Sequence, residues 1–587
     1  MAGKEGSIFE HGEGFGNGFL TAIGSGQLGG KARSLFTMHQ KLEVYKNKKE
    51  FESLLIGIPS MVALKTGIFE QFMEENSLYD LAYSDASDAQ IANAFQKATL
   101  PFSVVGELRK FISRIHRPLA VRSSSLLEDA KFEPFAGIYG TKMIPNNQVT
   151  IDKRFHKLTE AIKFVYASTF FTEAKEYMQA TSHDIREERM AVILQEVIGE
   201  HHGTSFYPEV SGVARSYNFY PTGRATPKQG VVNLALGLGK TIVDGGCSWN
   251  YSPAYPRVSP PFGSINEMLN LTQKDYWAVN MGEAPAYDPI KETEFLVHEN
   301  ITKADAEQTL FHVASTLDIQ SERINLGVGQ DGPRLINFGP ILSLDTVPLN
   351  VLLKDLLALC EAEFDSPVEI EFAMTFPKDP EYKGMARFGF LQVRPMVVSL
   401  EKVDIRVDEL IGDEVILASK NALGNGTHQV IKDIVFVRPG QFEAKNTPKI
   451  ARELNQVNKR LVQEKRPYLL IGFGRWGSSE PWLGIPVFWS QISGAKVMVE
   501  ASLPQMNVDL SQGSHFFHNL TSFQVSYFSV PFTGEFPINW EWLNKQEVIH
   551  ETDLIKHVRT TRPLEVKVDG FQGLGLIKTS GETPQNH

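Results

Sequence analysis

Apolar positions recur at helical spacing along residues 151–180, where Leu158, Ile162, Val165 and Phe171 fall on one face of an amphipathic helix. Residues 87–116 read as helix in the same way. From Gly29 to about Met73 a helical pattern, the short apolar run IGIPSMVAL and a second helix follow one another. PLAVRSSS (118–125) predicts a short strand running into a polar loop. Residues 190–240 and 326–396 are strand-rich, with AVILQEVI, GVVNLAL, VEIEFAMTF and FGFLQVRPM as the clearest strands, and 302–316 predict a helix between them. A boundary is expected near 397–410, where SLEKVDIRVDEL follows a strand ending in Pro395. Beyond it lie EVILAS, DIVFVRP, the helical TPKIARELNQVNKRLVQE, then YLLIGFG and AKVMVEASL. The glycine-rich first twenty residues predict a loop, and the polar tail SGETPQNH predicts a frayed end.

Bulk properties narrow the function classes. At 587 residues, 42% hydrophobic and 22% charged, the chain has ordinary globular composition and length for about three to five domains. A net charge of −11 gives no basic field for nucleic acid, so any phosphate ligand needs local cations. Two cysteines, Cys247 and Cys360, are too few for a disulfide framework or a cysteine-rich zinc site. No apolar run reaches the ~18 residues of a membrane span, and the N-terminus lacks a signal-peptide pattern. A cytoplasmic location and no membrane partner are therefore expected.

Five segments carry candidate chemistry. Gly29-Gly30-Lys31 opens a helix, where glycines allow backbone approach, free N–H groups point outward and a lysine adds charge. Ala120-Val121-Arg122-Ser123-Ser124-Ser125, followed by Glu128-Asp129 and Phe135-Ala136-Gly137, places an arginine among hydroxyls, which suits bidentate phosphate contact. Gln195-Glu196 gives a strand a polar pair for a base edge, before Ser211-Gly212-Val213. Leu236-Gly237-Leu238-Gly239-Lys240-Thr241 forms a glycine turn ending at Asp244-Gly245-Gly246. It is not a P-loop, because Leu234 stands where the first glycine is required; GGK at 29–31 fails likewise at Ser25 and Ala32.

In the fifth segment, Glu369 and Glu371 share one strand face, and Gln392 and Arg394 share one on a neighbouring strand. A carboxylate beside an amide oxygen suits Mg²⁺, and an adjacent arginine suits a transferring phosphoryl group. Taken singly, each segment also fits a structural role: a glycine turn with a solvated lysine, serines capping a strand, an edge strand with outward polar residues, or a cross-strand surface ion pair.

Together, GGK, VRSS with ED and FAG downstream, a QE strand then SGV, a GLG turn, and EIEF followed by LQVRP resemble the nucleotide-binding half of the pyruvate phosphate dikinase and phosphoenolpyruvate synthase family. The matches are colinear over residues 24–396. The resemblance implies an α/β (α+β) chain. After an N-terminal loop at 1–20 comes an ATP-grasp-like two-lobed nucleotide-binding domain at 21–396, split near 190. A smaller αβ domain at 405–580 follows, for which the resemblance offers a diverged swivelling phosphohistidine domain as one reading.

The resemblance also implies ATP and Mg²⁺ as cofactors. Lys31 and Arg122 would contact phosphates, with Gly237 and Gly239 in the nucleotide turn. Glu371 and Gln392 would hold metal and phosphate, and Arg394 would be the transition-state cation. Gln195 and Glu196 would lie nearer adenine and ribose. One departure stands out: the family commonly has an acidic residue after the GLG turn, and here it is Lys240.

The 191 residues after Met396 are fewer than the ~250 of a TIM barrel, so the family's pyruvate-binding barrel is not expected in this chain. Gly472-Phe473-Gly474-Arg475-Trp476-Gly477 formally matches a dinucleotide fingerprint, but SSEPWLGIP after it has two prolines and no helix pattern. Two readings remain for it: a turn-rich loop with Trp476 and Trp482 packed inward, or a ligand loop in which Arg475 holds an anion.

Gly513-Ser514-His515 resembles the Gly-x-Ser/Thr-His context of the family's phosphocarrier, although bulky Phe516 and Phe517 follow. His515 is the candidate phosphoryl acceptor, with His518 as the other choice and a structural histidine as the bland reading. His201-His202 reads as a solvated turn. The expected activity is ATP-dependent phosphotransfer, with AMP as a product, to a histidine or other acceptor. The catalytic set is Arg122, Arg394 and His515. Rival expectations are a silent ATP-binding regulatory protein, or one subunit of a split dikinase whose acceptor domain lies on a partner protein.

Overall fold

A computed structural model describes residues 19–128, 137–181, 183–219, 221, 224–258, 268–269, 272–378, 384–398, 403–478, 482–504, 520, 524–532 and 534–579. His515, His518 and Asp129 lie outside these residues, as does most of the expected N-terminal loop.

The run IGIPSMVAL divides in two. Leu54–Gly57 and Met61–Leu64 are separate strands, and they join different sheets. The first sheet has five strands, in the order Leu20–Ile23, Met61–Leu64, Met190–Glu196, Leu119–Ser125 and Thr141–Ile144. The first pair is parallel and the remaining pairs are antiparallel. The second sheet has six, in the order Trp249–Tyr251, Val231–Ala235, Val210–Arg215, Val368–Thr375, Ala386–Pro395 and Leu54–Gly57. The chain passes between these sheets within Ile58-Pro59-Ser60, where proline removes a ladder donor.

Helices bury apolar faces on these sheets. Thr66–Glu75, Asp88–Lys97, Phe102–Arg114 and Ile151–Ser168 build a core with the first sheet. Phe69 meets Tyr166 edge-on at 5.2 Å, and Phe72 meets Phe95 at 5.8 Å, within the range of favourable aromatic pairs. Two expected long helices are each interrupted. Residues 87–116 break before Phe102–Arg114, where Pro101 takes the N-cap position, and 151–180 break between Ile151–Ser168 and Thr172–Ala180. The helix expected at 302–316 shrinks to Ile301–Ala306, and Ala314–Asp318 is a strand.

Against the second sheet pack Gly30–Leu42 and Leu349–Phe364, whose Leu352, Leu353, Leu356 and Cys360 are buried with Ile370 and Phe372. Neither cysteine is in a disulfide; Cys360 is buried and Cys247 exposed. Burial pushes the Cys360 thiol up to about 12, with Glu363 adding to the effect, so it is an inert core group.

Strands between Val415 and Thr579 form a nine-stranded sheet. At its centre Asn425–Val437, Tyr468–Phe473, Ala495–Ala501 and Ser526–Val530 run side by side in parallel, flanked by antiparallel strands. The helix Thr447–Gln463 covers it with Ile450, Leu454, Val457 and Leu461. Trp476 is buried as expected, but Trp482 is 76% exposed: the loop turns that ring to solvent. Among the described residues no helix is long and apolar enough to cross a membrane.

Candidate nucleotide site

The two large sheets meet at a cleft, and most of the singled-out side chains line it. The Leu119–Ser125 and Met190–Glu196 strands bring Arg122, Gln195 and Glu196; the Val368–Thr375 and Ala386–Pro395 strands bring Glu371, Gln392 and Arg394. Lys31 enters from the start of Gly30–Leu42, and Gly239 from the GLG turn.

Arg122 joins the sheets. Its Nη1 donates to Gln195 Oε1 at 3.2 Å and to the Leu391 carbonyl at 3.1 Å. Its Nη2 donates to Gln392 Oε1 at 2.6 Å and lies 3.4 Å from Glu371 Oε2. Glu371 and Gln392 are direct partners in the antiparallel register, so their oxygens emerge side by side. This is a hard-oxygen pair of the kind Mg²⁺ accepts with waters and phosphates completing its shell. Among the described residues no group of three or more His, Cys, Asp or Glu side chains forms a richer metal site.

Glu369 does something different from Glu371, although they share a strand face. It faces Arg394 across the register, and Arg394 Nε donates to its Oε1 at 2.8 Å. Arg215 Nε donates to its other oxygen at 2.6 Å. Arg394 and Glu369 are 2% and 3% exposed, so this is no surface ion pair. One carboxylate fixes two arginines, and Arg394 still lines the cleft.

Glu128 does the same for Lys31. The Lys31 Nζ–Glu128 Oε1 distance is 2.5 Å, and Glu128 also accepts from the Ser123 hydroxyl (2.8 Å) and the Ser125 amide (2.9 Å). Ser124 accepts from the Ala32 amide at 3.1 Å and donates to the Leu28 carbonyl at 3.1 Å. Gly29 has φ 77°, and a Cβ there would sit 1.6 Å from the Ser124 carbonyl oxygen. The glycine is required because the lysine turn is pressed onto the serine strand.

Glu196 lines the cleft and is held by Arg387 (3.3 Å) and Arg117 (3.5 Å). Gln195 is 2% exposed, and its Nε2 makes no hydrogen bond within the described protein. Gly237 stands behind the lining. Its amide donates to the Pro208 carbonyl (3.1 Å), its carbonyl accepts from the Ser211 hydroxyl (2.6 Å), and a Cβ would meet the Trp277 carbonyl at 2.6 Å. Lys240 faces the cleft and pairs with Asp244 at 2.9 Å. Burial opposes its charge, but Asp244 and Glu292 outweigh that and hold its pKa above the ordinary lysine value.

Arg475 donates from Nη1 to the Gly245 carbonyl at 2.6 Å, so in this structure it grips the turn beside the cleft. The His201-His202 pair fits the expected solvated turn only at His201, which is exposed. It lies on the strand Glu200–His202, where His202 is buried against Tyr207, with Nε2 3.6 Å from Glu209. Sequence reasoning missed Glu128 as the lysine's partner and Arg215 as the second arginine on Glu369. Glu128 was visible in the ED pair; Arg215 stands in no motif.

The pattern of the family described as "Pyruvate phosphate dikinase, AMP/ATP-binding domain" matches residues 25–411. An uncharacterized phosphotransferase, YvkC of Bacillus subtilis (strain 168), is 25% identical over 242 residues, which are 41% of this chain and 25% of that protein. The matched part is thus about a quarter of that relative's length. With two thirds of its length under the family pattern, the chain belongs to the pyruvate phosphate dikinase AMP/ATP-binding domain family.

Proposed function

We propose that the protein is an ATP-dependent phosphotransferase of the dikinase type, binding Mg-ATP between two lobes of an ATP-grasp-like domain. The observation that carries this is the convergence of Lys31, Arg122 and Arg394 with Glu371 and Gln392 on one cleft. Phosphoryl transfer is catalysed mostly by positioning and by charge stabilisation. A site meant only for binding has little need of a buried, doubly held arginine at its end.

In this reading Lys31 and Arg122 hold phosphate oxygens. Glu371 and Gln392 hold Mg²⁺, which would neutralise phosphate charge. Arg394 stabilises the charge that develops during transfer. In the structure Arg122 leans on the Gln392 and Glu371 oxygens, and phosphate would draw it off them. Gln195, with its free amide hydrogens, and Glu196 stand nearer the base and ribose. The acceptor is a histidine, with His515 as the internal candidate, or another group.

Incubation with Mg²⁺ and β- or γ-labelled ATP tests the reading, scoring AMP against ADP and acid-labile label on protein. AMP with β-label on wild type, lost in His515→Ala but not His518→Ala, supports a dikinase with His515 as carrier. Tight ATP binding without turnover would point instead to an ATP-binding regulatory protein.

A further inference from the structure

Lys240 lines the nucleotide cleft and has no role in the contacts assigned above. It follows the GLG turn, which leaves the second sheet after Val231–Ala235, whereas Arg122 stands on the first sheet. The turn is firmly anchored. The Gly237 amide donates to the Pro208 carbonyl, and the Leu238 amide donates to the Trp277 carbonyl at 2.9 Å. Arg475 holds the Gly245 carbonyl. The lysine head lies 5.9 Å from the centre of the Trp277 ring, a cation–π distance.

The cations of the cleft differ in how firmly they are committed. Arg122 contacts Gln195, the Leu391 carbonyl, Glu371 and Gln392. Lys31 is bound to Glu128, which is 1% exposed, and Arg394 to the buried Glu369. The ion pair of Lys240 is with Asp244, whose side chain is 41% exposed against 22% for the lysine. A pair with so exposed a carboxylate contributes little and opens readily. An ammonium carries three donors, and Asp244 takes one of them. Asp244 and Glu292 favour the charged form, so the lysine stays an ammonium. Of these four cations, Lys240 is the one released at least cost to an incoming anion.

Resting on the phosphotransfer reading of the cleft, we propose that Lys240 binds the phosphate chain of the nucleotide, exchanging Asp244 for phosphate oxygens. A lysine with a purely structural role keeps its charged head in water and buries only its stem. Here the anchored turn and the Trp277 ring hold the head on the cleft wall instead. Phosphate oxygens carry the charge that an ammonium meets best, and a point charge needs no fixed approach geometry. Ribose hydroxyls and the base are uncharged and draw less from it. Asp244 is then the counter-ion of the empty cleft, and it competes with the nucleotide for the lysine. Substitutions at the two neighbours therefore have opposite signs.

The test measures binding of adenosine, AMP, ADP and the non-hydrolysable β,γ-imido analogue of ATP to the full chain with Mg²⁺. Calorimetric titration reads the nucleotides and saturation-transfer NMR reads adenosine. Lys240→Ala is expected to weaken the ATP analogue about tenfold or more and adenosine less than about twofold. The step along the series at which the loss sets in marks the phosphate that the lysine holds. Lys240→Glu should cost more than Lys240→Ala, and Lys240→Gln repeats the test should Lys240→Ala misfold. Asp244→Asn frees the lysine and should tighten the ATP analogue by about two- to fivefold. Undiminished binding of the analogue in Lys240→Ala, or an equal loss for adenosine, overturns the proposal. So does weaker binding in Asp244→Asn, which would make the pair a structural one. A wild type that binds none of these ligands would instead sink the phosphotransfer reading, and this proposal with it.

Discussion

Arg394 and Glu369 face each other across adjacent antiparallel strands, almost wholly buried, and Arg215 takes the oxygen that Arg394 leaves. Removing the carboxylate strands two guanidinium groups in a low-dielectric place. Glu369→Ala is therefore expected to cost about 3–5 kcal/mol of stability, read by denaturant unfolding. Glu369→Gln keeps a hydrogen-bond acceptor and should cost less. Wild-type stability in Glu369→Ala would show that the pair is not held as described.

Gly29→Ala should disable the lysine turn. The positive φ with extended ψ, a region essentially confined to glycine, alone costs about 1–3 kcal/mol, and the Cβ cannot coexist with the Ser124 carbonyl at 1.6 Å. Either the serine strand or the helix start must move, taking Lys31 with it. Calorimetric titration should show ATP affinity reduced about tenfold or more.

How far the sequence reveals this site depends on the kind of signal. The Leu119–Ser125, Met190–Glu196, Val368–Thr375 and Ala386–Pro395 strands were readable because β-branched and apolar runs coincide with motif residues. That Glu369 and Glu371 share a face was also readable. Their division of labour was not, because it depends on register with Arg394 and on Arg215, 154 positions away in the chain. The helix misread at 302–316 follows good helix formers such as Ala304 and Ala306. Pairing of Ser315, Thr316 and Leu317 with neighbouring strands overrides that propensity. His202 was misplaced because burial against Tyr207 is a tertiary fact.

Arg475, on the short strand Arg475–Trp476, reaches to the turn that carries Lys240 and Asp244. Arg475→Ala should loosen that turn, raising KM for ATP several-fold with little change in kcat. Hydrogen exchange of amides 240–246 should quicken. Unchanged KM and exchange would mean that the contact does not position the turn.

Two buried carboxylates give opposite pH signatures. Burial, with Glu128 adding and the Ser125 hydroxyl opposing, raises Glu188 to about 7. The folded state then binds its proton more tightly than the unfolded chain, whose glutamates titrate near ~4.3. Its contribution is full below that value and is lost as pH rises through 7, on the order of 3 kcal/mol. Glu188→Gln should flatten this slope when unfolding is compared at pH 5 and pH 8. Burial would raise Asp433, but hydrogen bonds from His557, Arg466 and Arg559 outweigh it and hold it at about 2. Its contribution is present above ~4 and lost as pH falls through 2. Asp433→Asn should therefore weaken the fold at neutral pH.

The central claim is that Arg394 acts on a phosphoryl group in transit while the rest of the cleft holds ATP. The most direct measurement compares ATP turnover and ATP affinity in wild type and Arg394→Ala. Turnover lower by about 10²–10³-fold, with affinity changed far less, is the predicted result. Turnover equal to wild type would contradict the account.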